Sequence, residues 1–187
     1  GLGASKYFGK ETIVWGKVGS SRTRFRYNGR CAFDDGTPAI IFKDKPDFYL
    51  LGFLNTKLVS EIIKIIAPTL NVQIGDVRSI PYPKLKLIHK PEIDSLVQQN
   101  ISISKNDWDS FETSWDFEVH PLLDIDKQDE IPSTVESAYE NWKEYANNNF
   151  AKLKENEERL NELFIEIYGL EDELTKDVSD KDITIAK

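Results

Sequence analysis

The chain contains very little sulfur and few histidines, and these scarcities exclude several classes of protein. Its 187 residues include one cysteine, Cys31, so no disulfide can form within the chain, which fits a reducing cytoplasm. Cys31 lies in an apolar stretch and is expected to be a small core residue. One cysteine with His89 and His120 offers fewer ligands than a zinc site normally uses. We therefore expect a cytoplasmic protein without a metal site.

Long apolar runs and methionine are missing as well. No stretch of about eighteen apolar residues occurs, so we expect no transmembrane helix and no membrane partner. The sequence has no methionine and opens with Gly1-Leu2-Gly3. We expect an excised piece of a longer protein, in which motifs missing here can lie elsewhere.

Catalytic motifs are also absent from the sequence. Methyl transfer to an amino group needs a glycine-rich cofactor loop and an Asn/Asp-Pro-Pro-Tyr/Phe loop, and neither occurs. Residues 16–21 lack the spacing of a Walker phosphate loop, and residues 124–129 lack the glycine and glutamate of a calcium loop. His89 and His120 stand alone and are expected at the surface or at helix caps. The sequence therefore predicts no catalytic residue and no cofactor in this chain.

A strong asymmetry of charge is present instead. Residues 1–90 carry 15 Lys and Arg against 7 Asp and Glu, a net charge of +8. Residues 91–187 carry 9 against 25, a net charge of −16. This division predicts two surfaces with different roles, of which only the basic one suits a polyanion. The alternative is that the charges only keep two packed elements in solution.

The basic half contains a candidate DNA-binding surface. Residues 22–27 alternate arginine with apolar or hydroxyl side chains, which predicts a strand with three arginines on one face. The Asn28-Gly29 turn signal predicts a hairpin whose partner strand is residues 31–33. Cations neutralise phosphates, while hydroxyl and amide groups contact the DNA backbone or base edges. The alternative is a solvated strand face. The candidate DNA-binding residues are Lys17, Ser21, Arg22, Arg24, Arg26, Asn28, Arg30 and Lys43.

Further along the basic half, the apolar pattern changes to helical spacing. After a short strand at residues 39–42, this spacing predicts one helix over residues 49–66, ended by Pro68. Residues 71–77 are expected to form a connector.

The acidic half is predicted to be mainly helical. A short helix is expected over residues 92–100, and residues 104–107 are expected to cap another that begins near Trp108. A loop should cover residues 114–130. Ser133 and Glu136 then form a capping box for a long helix that has no glycine before Gly169. Its polar residues, 147–149 and 154–159, predict a partly solvated helical hairpin or arm, and the polar residues 175–187 predict a loose tail.

Several stretches resemble known families. The run Leu50-Leu51-Gly52-Phe53-Leu54-Asn55-Thr56-Lys57, followed by Asn71 and Ile80-Pro81, resembles the target-recognition domains of type I specificity subunits and type IIG restriction-modification enzymes. Residues 103–117, which include three aromatic positions around Trp108, are similar to a segment of the adenine-specific methyltransferases of bacteriophage-exclusion (BREX) systems. Residues 12–15, 24–27, 163–174 and 178–185 fit the same family.

This resemblance implies a fold and a function. The fold is α/β (α+β): a small mixed target-recognition domain like that of type I specificity subunits, then a mainly helical segment with one long helix. The expected segments are a recognition domain (1–90), bracing helices and a loop (91–131), a spacer or docking helix (132–174) and a polar tail (175–187).

For the parent protein, the resemblance implies methylation of adenine N6 with S-adenosylmethionine in phage defence. A separate methyltransferase domain flips the base and transfers the methyl group in such enzymes. For this chain, the resemblance implies sequence-specific recognition of double-stranded DNA beside that missing domain, without catalysis of its own.

Two other functions remain open at this point. The chain could dock another protein of the same defence system without contacting DNA. It could also be a metal-dependent nuclease that uses Asp34, Asp35 and Lys43, although the usual spaced Glu-X-Lys element is missing.

Overall fold

The chain forms two compact units that alternate along the sequence. A computed structural model describes residues 6–19, 22–29, 32–82, 89–124 and 134–185. The first unit comprises residues 1–97 and 160–176, and the second comprises residues 98–159 and 177–187. Within the described residues the fold is mixed α+β, as predicted: one antiparallel sheet and five α-helices, of which the long one lies in the second half of the chain. The four-segment division of the sequence stays a prediction.

The sheet lies in the first unit and has three strands in the order β2-β1-β3. They are β1 (Thr12–Trp15), β2 (Phe25–Asn28) and β3 (Ala39–Ile41). Both neighbours of β1 run antiparallel to it, with Trp15 aligned to Phe25 and Thr12 aligned to Asn28 and Ile41. Aligned residues project to the same face of a sheet, so the buried Trp15 and Phe25 lie on one face with Ile13.

The predicted hairpin between residues 22–27 and 31–33 is wrong. Among the described residues β2 pairs with β1, residues 32 and 33 lie outside any strand, and Cys31 falls outside the described part of the chain. The cause is burial: the Trp15 and Phe25 rings lie 5.6 Å apart between centroids, and the indole N–H donates to the Val72 carbonyl at 3.0 Å. Packing of this aromatic pair outweighs the local turn signal.

Five α-helices complete the described fold, together with two short 3₁₀ helices at Pro121–Leu123 and Asp180–Asp182. No helix in the described ranges is long and apolar enough to span a membrane. The helices are α1 (Phe48–Leu54), α2 (Lys57–Ile66), α3 (Ile74–Ser79), α4 (Lys90–Trp108) and α5 (Val135–Tyr168).

The single helix predicted over residues 49–66 is two helices, α1 and α2. Asn55 ends α1, and Thr56 is the N-cap of α2. The buried Thr56 hydroxyl accepts a hydrogen bond from the Val59 N–H at 3.3 Å and donates one to the Phe53 carbonyl at 2.7 Å. This local capping interrupts the helix while the apolar periodicity continues through it.

The connector predicted at residues 71–77 is also partly helical. Helix α3 begins inside it, because the Asp76 carboxylate accepts a hydrogen bond from the Gln73 N–H at 2.7 Å. Such a bond satisfies a donor that a helix N-terminus otherwise leaves without a partner.

The two helices predicted around residues 92–108 form one continuous helix, α4, which ends at Trp108 where a helix was expected to begin. The expected cap at residues 104–107 is helical instead. Lys105 there pairs with Asp109 one turn later, at 2.6 Å, which is an ordinary interaction on a helix surface.

Helix α5 begins and ends with local caps. The Thr134 hydroxyl accepts from the Ser137 N–H at 3.1 Å, and the Ser137 hydroxyl oxygen accepts from the Thr134 N–H at 3.1 Å. The predicted cap residue, Ser133, lies outside the described residues. Gly169 ends the helix as predicted, with φ 65° and a Leu170 N–H bond to the Ile165 carbonyl at 3.1 Å.

The tail at residues 175–187 was predicted to be loose, and this is wrong for its described part. Val178, Ile183 and Ile185 are buried with Phe150 and Leu153 of α5 in the core of the second unit. The tail is polar on average, but its few apolar side chains are spaced so that they enter this core.

Candidate nucleic-acid interface

The junction between α1 and α2 holds the start of β2. The Asn55 side chain accepts from the Phe25 N–H at 3.1 Å and donates to the Phe25 carbonyl at 2.8 Å. It also donates to the Leu51 carbonyl at 3.1 Å. The Arg22 guanidinium donates to the Asn55 backbone carbonyl. Asn55 therefore fixes residues 22–25 against a helix end.

Gly52 allows α1 to approach its neighbours in the first unit closely. A Cβ atom at this position would lie 2.8 Å from the Val97 Cγ2 atom and 3.3 Å from that of Ile93. Since real Cβ contacts are longer than this, only glycine fits without movement of α4.

The next residues of the same motif are also tied to the first unit. The Lys57 N–H donates to the side-chain oxygen of the buried Asn161 at 2.8 Å, and Asn161 in turn donates to the Lys176 carbonyl at 2.9 Å. The motif that resembled target-recognition domains is thus a set of packing and hydrogen-bonding positions.

The candidate DNA-binding residues lie at both ends of the sheet. Arg26 and Asn28 alternate along β2 and share one of its faces, with Arg26 exposed and opposite Val14. Lys17 follows β1 at the end where Trp15 meets Phe25. Lys43 follows β3 near the opposite end.

These two ends are separated by about 10 Å, the length of a four-residue strand. That length corresponds to about three base pairs of duplex DNA.

Two of the candidate cations have partners inside the first unit. The Lys17 ammonium pairs with the exposed Asp35 carboxylate at 2.8 Å. Its hydrogen bond and positive charge hold the pKa of Asp35 below its ordinary value. Arg22 is engaged with Asn55. Within the described ranges no hydrogen bond or ion pair engages Arg24 or Arg26.

The candidate DNA-binding residues therefore differ in position and in contacts, and they do not form one uniform patch. Ser21 and Arg30 lie outside the described residues. The expected row of three arginines on one strand face is wrong, because β2 begins at Phe25 and contains only Arg26 of the three. The sequence pointed to Asn55 as a motif position and to Asp35 as a nuclease candidate, but it gave no signal of their contacts with Phe25 and Lys17.

Two of the three residues considered for nuclease chemistry, Asp34 and Asp35, form contacts within the first unit. The Asp34 carboxylate accepts a hydrogen bond from the Thr37 N–H at 2.8 Å, and Asp35 pairs with Lys17. In the parts of the chain that the structure describes, no three His, Cys, Asp or Glu side chains are grouped so that they could hold a metal ion.

His120 is a helix-cap residue, as predicted. Its Nδ1 atom accepts a hydrogen bond from the Leu122 N–H at 3.2 Å at the start of a 3₁₀ helix. His89 lies 3.7 Å from the Glu92 carboxylate and is partly exposed.

Comparison with known proteins finds adenine-specific methyltransferases. The chain is 34% identical over 184 residues, 97% of its length, to the adenine-specific methyltransferase PglX of Lacticaseibacillus casei strain Zhang. It is 29% identical over 174 residues, 91% of its length, to the adenine-specific methyltransferase BrxX of Escherichia coli O9:H4 strain HS. No protein-family model matches the chain.

The chain is therefore related to a segment of adenine-specific methyltransferases. Its similarity to PglX and BrxX confirms the predicted resemblance to methyltransferases of the BREX type. The chain spans 15% of the length of PglX and 13% of the length of BrxX.

Proposed function

We propose that this chain is the DNA-recognition segment of an adenine-N6 DNA methyltransferase or restriction-modification enzyme in phage defence. In this proposal it selects the site on double-stranded DNA, and it does not catalyse methyl transfer by itself. A methyltransferase domain elsewhere in the parent binds S-adenosylmethionine and modifies the adenine, in the cytoplasm.

The observation that carries the proposal is the pair of arginines on β2 and its approach, in a relative of adenine-specific methyltransferases. Arg24 and Arg26 lie beside each other on β2 and its approach, and the neighbouring Asn28 offers an amide that can contact a base edge or phosphate. The first unit as a whole has 16 Lys and Arg against 14 Asp and Glu, and 15 of these cations lie in residues 1–90, which include the proposed interface.

The test compares variants with the same change in charge at different places in the first unit. The variant Arg24→Glu/Arg26→Glu reverses two cations of the proposed interface. The control Lys64→Glu/Arg78→Glu reverses two exposed cations on α2 and α3. Arg22 and Lys17 are left unchanged because they already contact Asn55 and Asp35 within the first unit.

Duplex-DNA binding is measured by fluorescence anisotropy at low salt, after circular dichroism shows that each variant is folded. We expect the interface variant to lose at least about tenfold in affinity and the control to lose less than about threefold. Equal losses in both variants would mean that the DNA responds only to net charge, and the proposed interface would be rejected.

Docking of a protein partner is the second candidate function. It is favoured by exposed aromatic side chains in the acidic second unit, among them Trp108 and Trp115. This candidate can hold alongside DNA recognition, because the two functions use different units of the chain.

A further inference from the structure

The turn segment after α4 exposes large aromatic side chains. Trp108 is 58% exposed, Phe111 is 43% exposed and Trp115 is fully exposed. Single apolar residues on a surface are common, but several neighbouring aromatic rings often mark an interaction site. We define the aromatic turn as residues 107–117.

The aromatic turn is held in a defined shape. The Lys105 ammonium contacts the carboxylates of Asp109 and Asp116, each at 2.6 Å. These hydrogen bonds raise the pKa of Lys105, so the ammonium remains charged. The Ser114 hydroxyl donates to Asp109 at 2.7 Å. The exposed rings therefore stand on an ordered turn, which lowers the conformational entropy lost on binding.

A groove of about 670 Å³ lies in the second unit next to these rings. Trp108 and Phe111 line it together with Asp107, Glu112 and His120. Aromatic and acidic residues thus line the same concave surface.

The negative charge around the groove determines which kind of partner can bind there. Residues 107–124 contain six Asp and Glu and no Lys or Arg, and two of the six, Asp109 and Asp116, pair with Lys105. The second unit as a whole has 18 Asp and Glu against 8 Lys and Arg. Such a surface repels nucleic acid and attracts cations.

We propose that the groove beside the aromatic turn binds an arginine-rich segment of a protein. A guanidinium group can stack on the face of a tryptophan ring and also form two hydrogen bonds to a carboxylate. Lysine satisfies only the electrostatic part of this arrangement. Trp108 supplies the ring, and the exposed Glu112 supplies the carboxylate. This inference does not depend on DNA binding by the first unit.

The experiment measures binding of fluorescein-labelled nona-arginine and nona-lysine peptides at physiological salt. The variant Trp108→Ala/Trp115→Ala removes two exposed rings. The control Ile65→Ala/Leu70→Ala removes two exposed apolar side chains, 79% and 61% exposed, from the first unit. All four positions are exposed, so the variants should remain folded, which circular dichroism checks.

We expect the wild type to bind nona-arginine at least about threefold more tightly than nona-lysine. The tryptophan variant should lose about tenfold in affinity for nona-arginine, and the control should bind as the wild type does. Glu112→Lys, at an exposed position, should lower the affinity for both peptides.

Three results would overturn the inference. The first is an absence of peptide binding by the wild type. The second is equal affinity for the two peptides with no effect of the tryptophan variant, which means attraction by charge alone. The third is a monomer–dimer equilibrium in sedimentation that the tryptophan variant abolishes, since the rings would then bind a second copy of this chain.

Discussion

Asn55 connects three parts of the first unit through its side chain and its backbone. It contacts both backbone groups of Phe25, the carbonyl of Leu51 and the guanidinium of Arg22. The start of β2 therefore depends on a residue thirty positions away. The geometry of the proposed interface therefore depends on these contacts of Asn55.

Replacement of Asn55 by alanine should destabilise the first unit. The change removes the partners of the Phe25 N–H and carbonyl, and loss of such bonds costs about 1–3 kcal/mol. Urea denaturation followed by circular dichroism measures the loss. Asn148→Ala, at an exposed position of α5, is the control and should change the free energy of unfolding by less than about 0.5 kcal/mol.

Two glycines allow a paired test of close packing. Gly52→Ala should destabilise the protein by about 1–3 kcal/mol, because the new Cβ would meet Val97 at 2.8 Å. Gly75→Ala in α3 has no atom within 4 Å of its Cβ and should stabilise the protein by about 0.5–1 kcal/mol. Thermal unfolding measures the stability of the two variants. A Gly52→Ala protein as stable as the wild type would contradict the close packing of Gly52 against Val97.

Single residues also limit what the sequence could predict about the site. The alternation of Arg22, Arg24 and Arg26 was visible, but a cation gives no signal of whether a distant group will engage it. Arg22 is engaged by the Asn55 carbonyl and Lys17 by Asp35, eighteen residues away. The residue types of the candidate site were readable, whereas their partners depend on the folded chain.

At the scale of elements, the sequence predicts which segments are helical better than where they begin and end. The strand at Ala39–Ile41, the long helix α5 and its end at Gly169 were all readable from local patterns. The break at Asn55 and Thr56 and the continuity of α4 were missed. Both depend on hydrogen bonds and packing that compete with local propensity.

Helix α5 carries a buried polar residue where its sequence suggested a solvated face. Asn156 is 1% exposed and donates to the Asn100 side chain of α4 at 2.9 Å. A weaker contact joins it to Gln99 at 3.4 Å. A polar pair of this kind fixes the register between two helices, because a shifted helix would leave the amides without partners.

The variant Asn156→Ala should therefore destabilise the second unit by about 1–3 kcal/mol, because the hydrogen bond to the Asn100 side chain is lost. Glu155→Ala changes the exposed neighbour and should cost less than about 0.5 kcal/mol. Hydrogen exchange of α5 amides measures the effect locally. Equal protection in both variants would show that the Asn156–Asn100 contact carries no stability.

At the scale of the whole molecule, the mixed fold and the charge asymmetry were both readable from the sequence. The interleaving of the units was not, because residues 160–176 return to the first unit and residues 177–187 to the second. Such returns depend on a few spaced apolar positions, such as Val178 and Ile183, within polar segments. The average composition of those segments hides them.

The salt dependence of duplex-DNA binding by the unaltered chain tests the central claim most directly. An interface that neutralises three to four phosphates predicts that affinity falls by about 40- to 150-fold between 50 and 200 mM salt. Anisotropy titrations across that range give the slope of log affinity against log salt, which should lie near −3. Absence of binding at 50 mM salt, or an affinity that does not change with salt, would contradict DNA recognition by this chain.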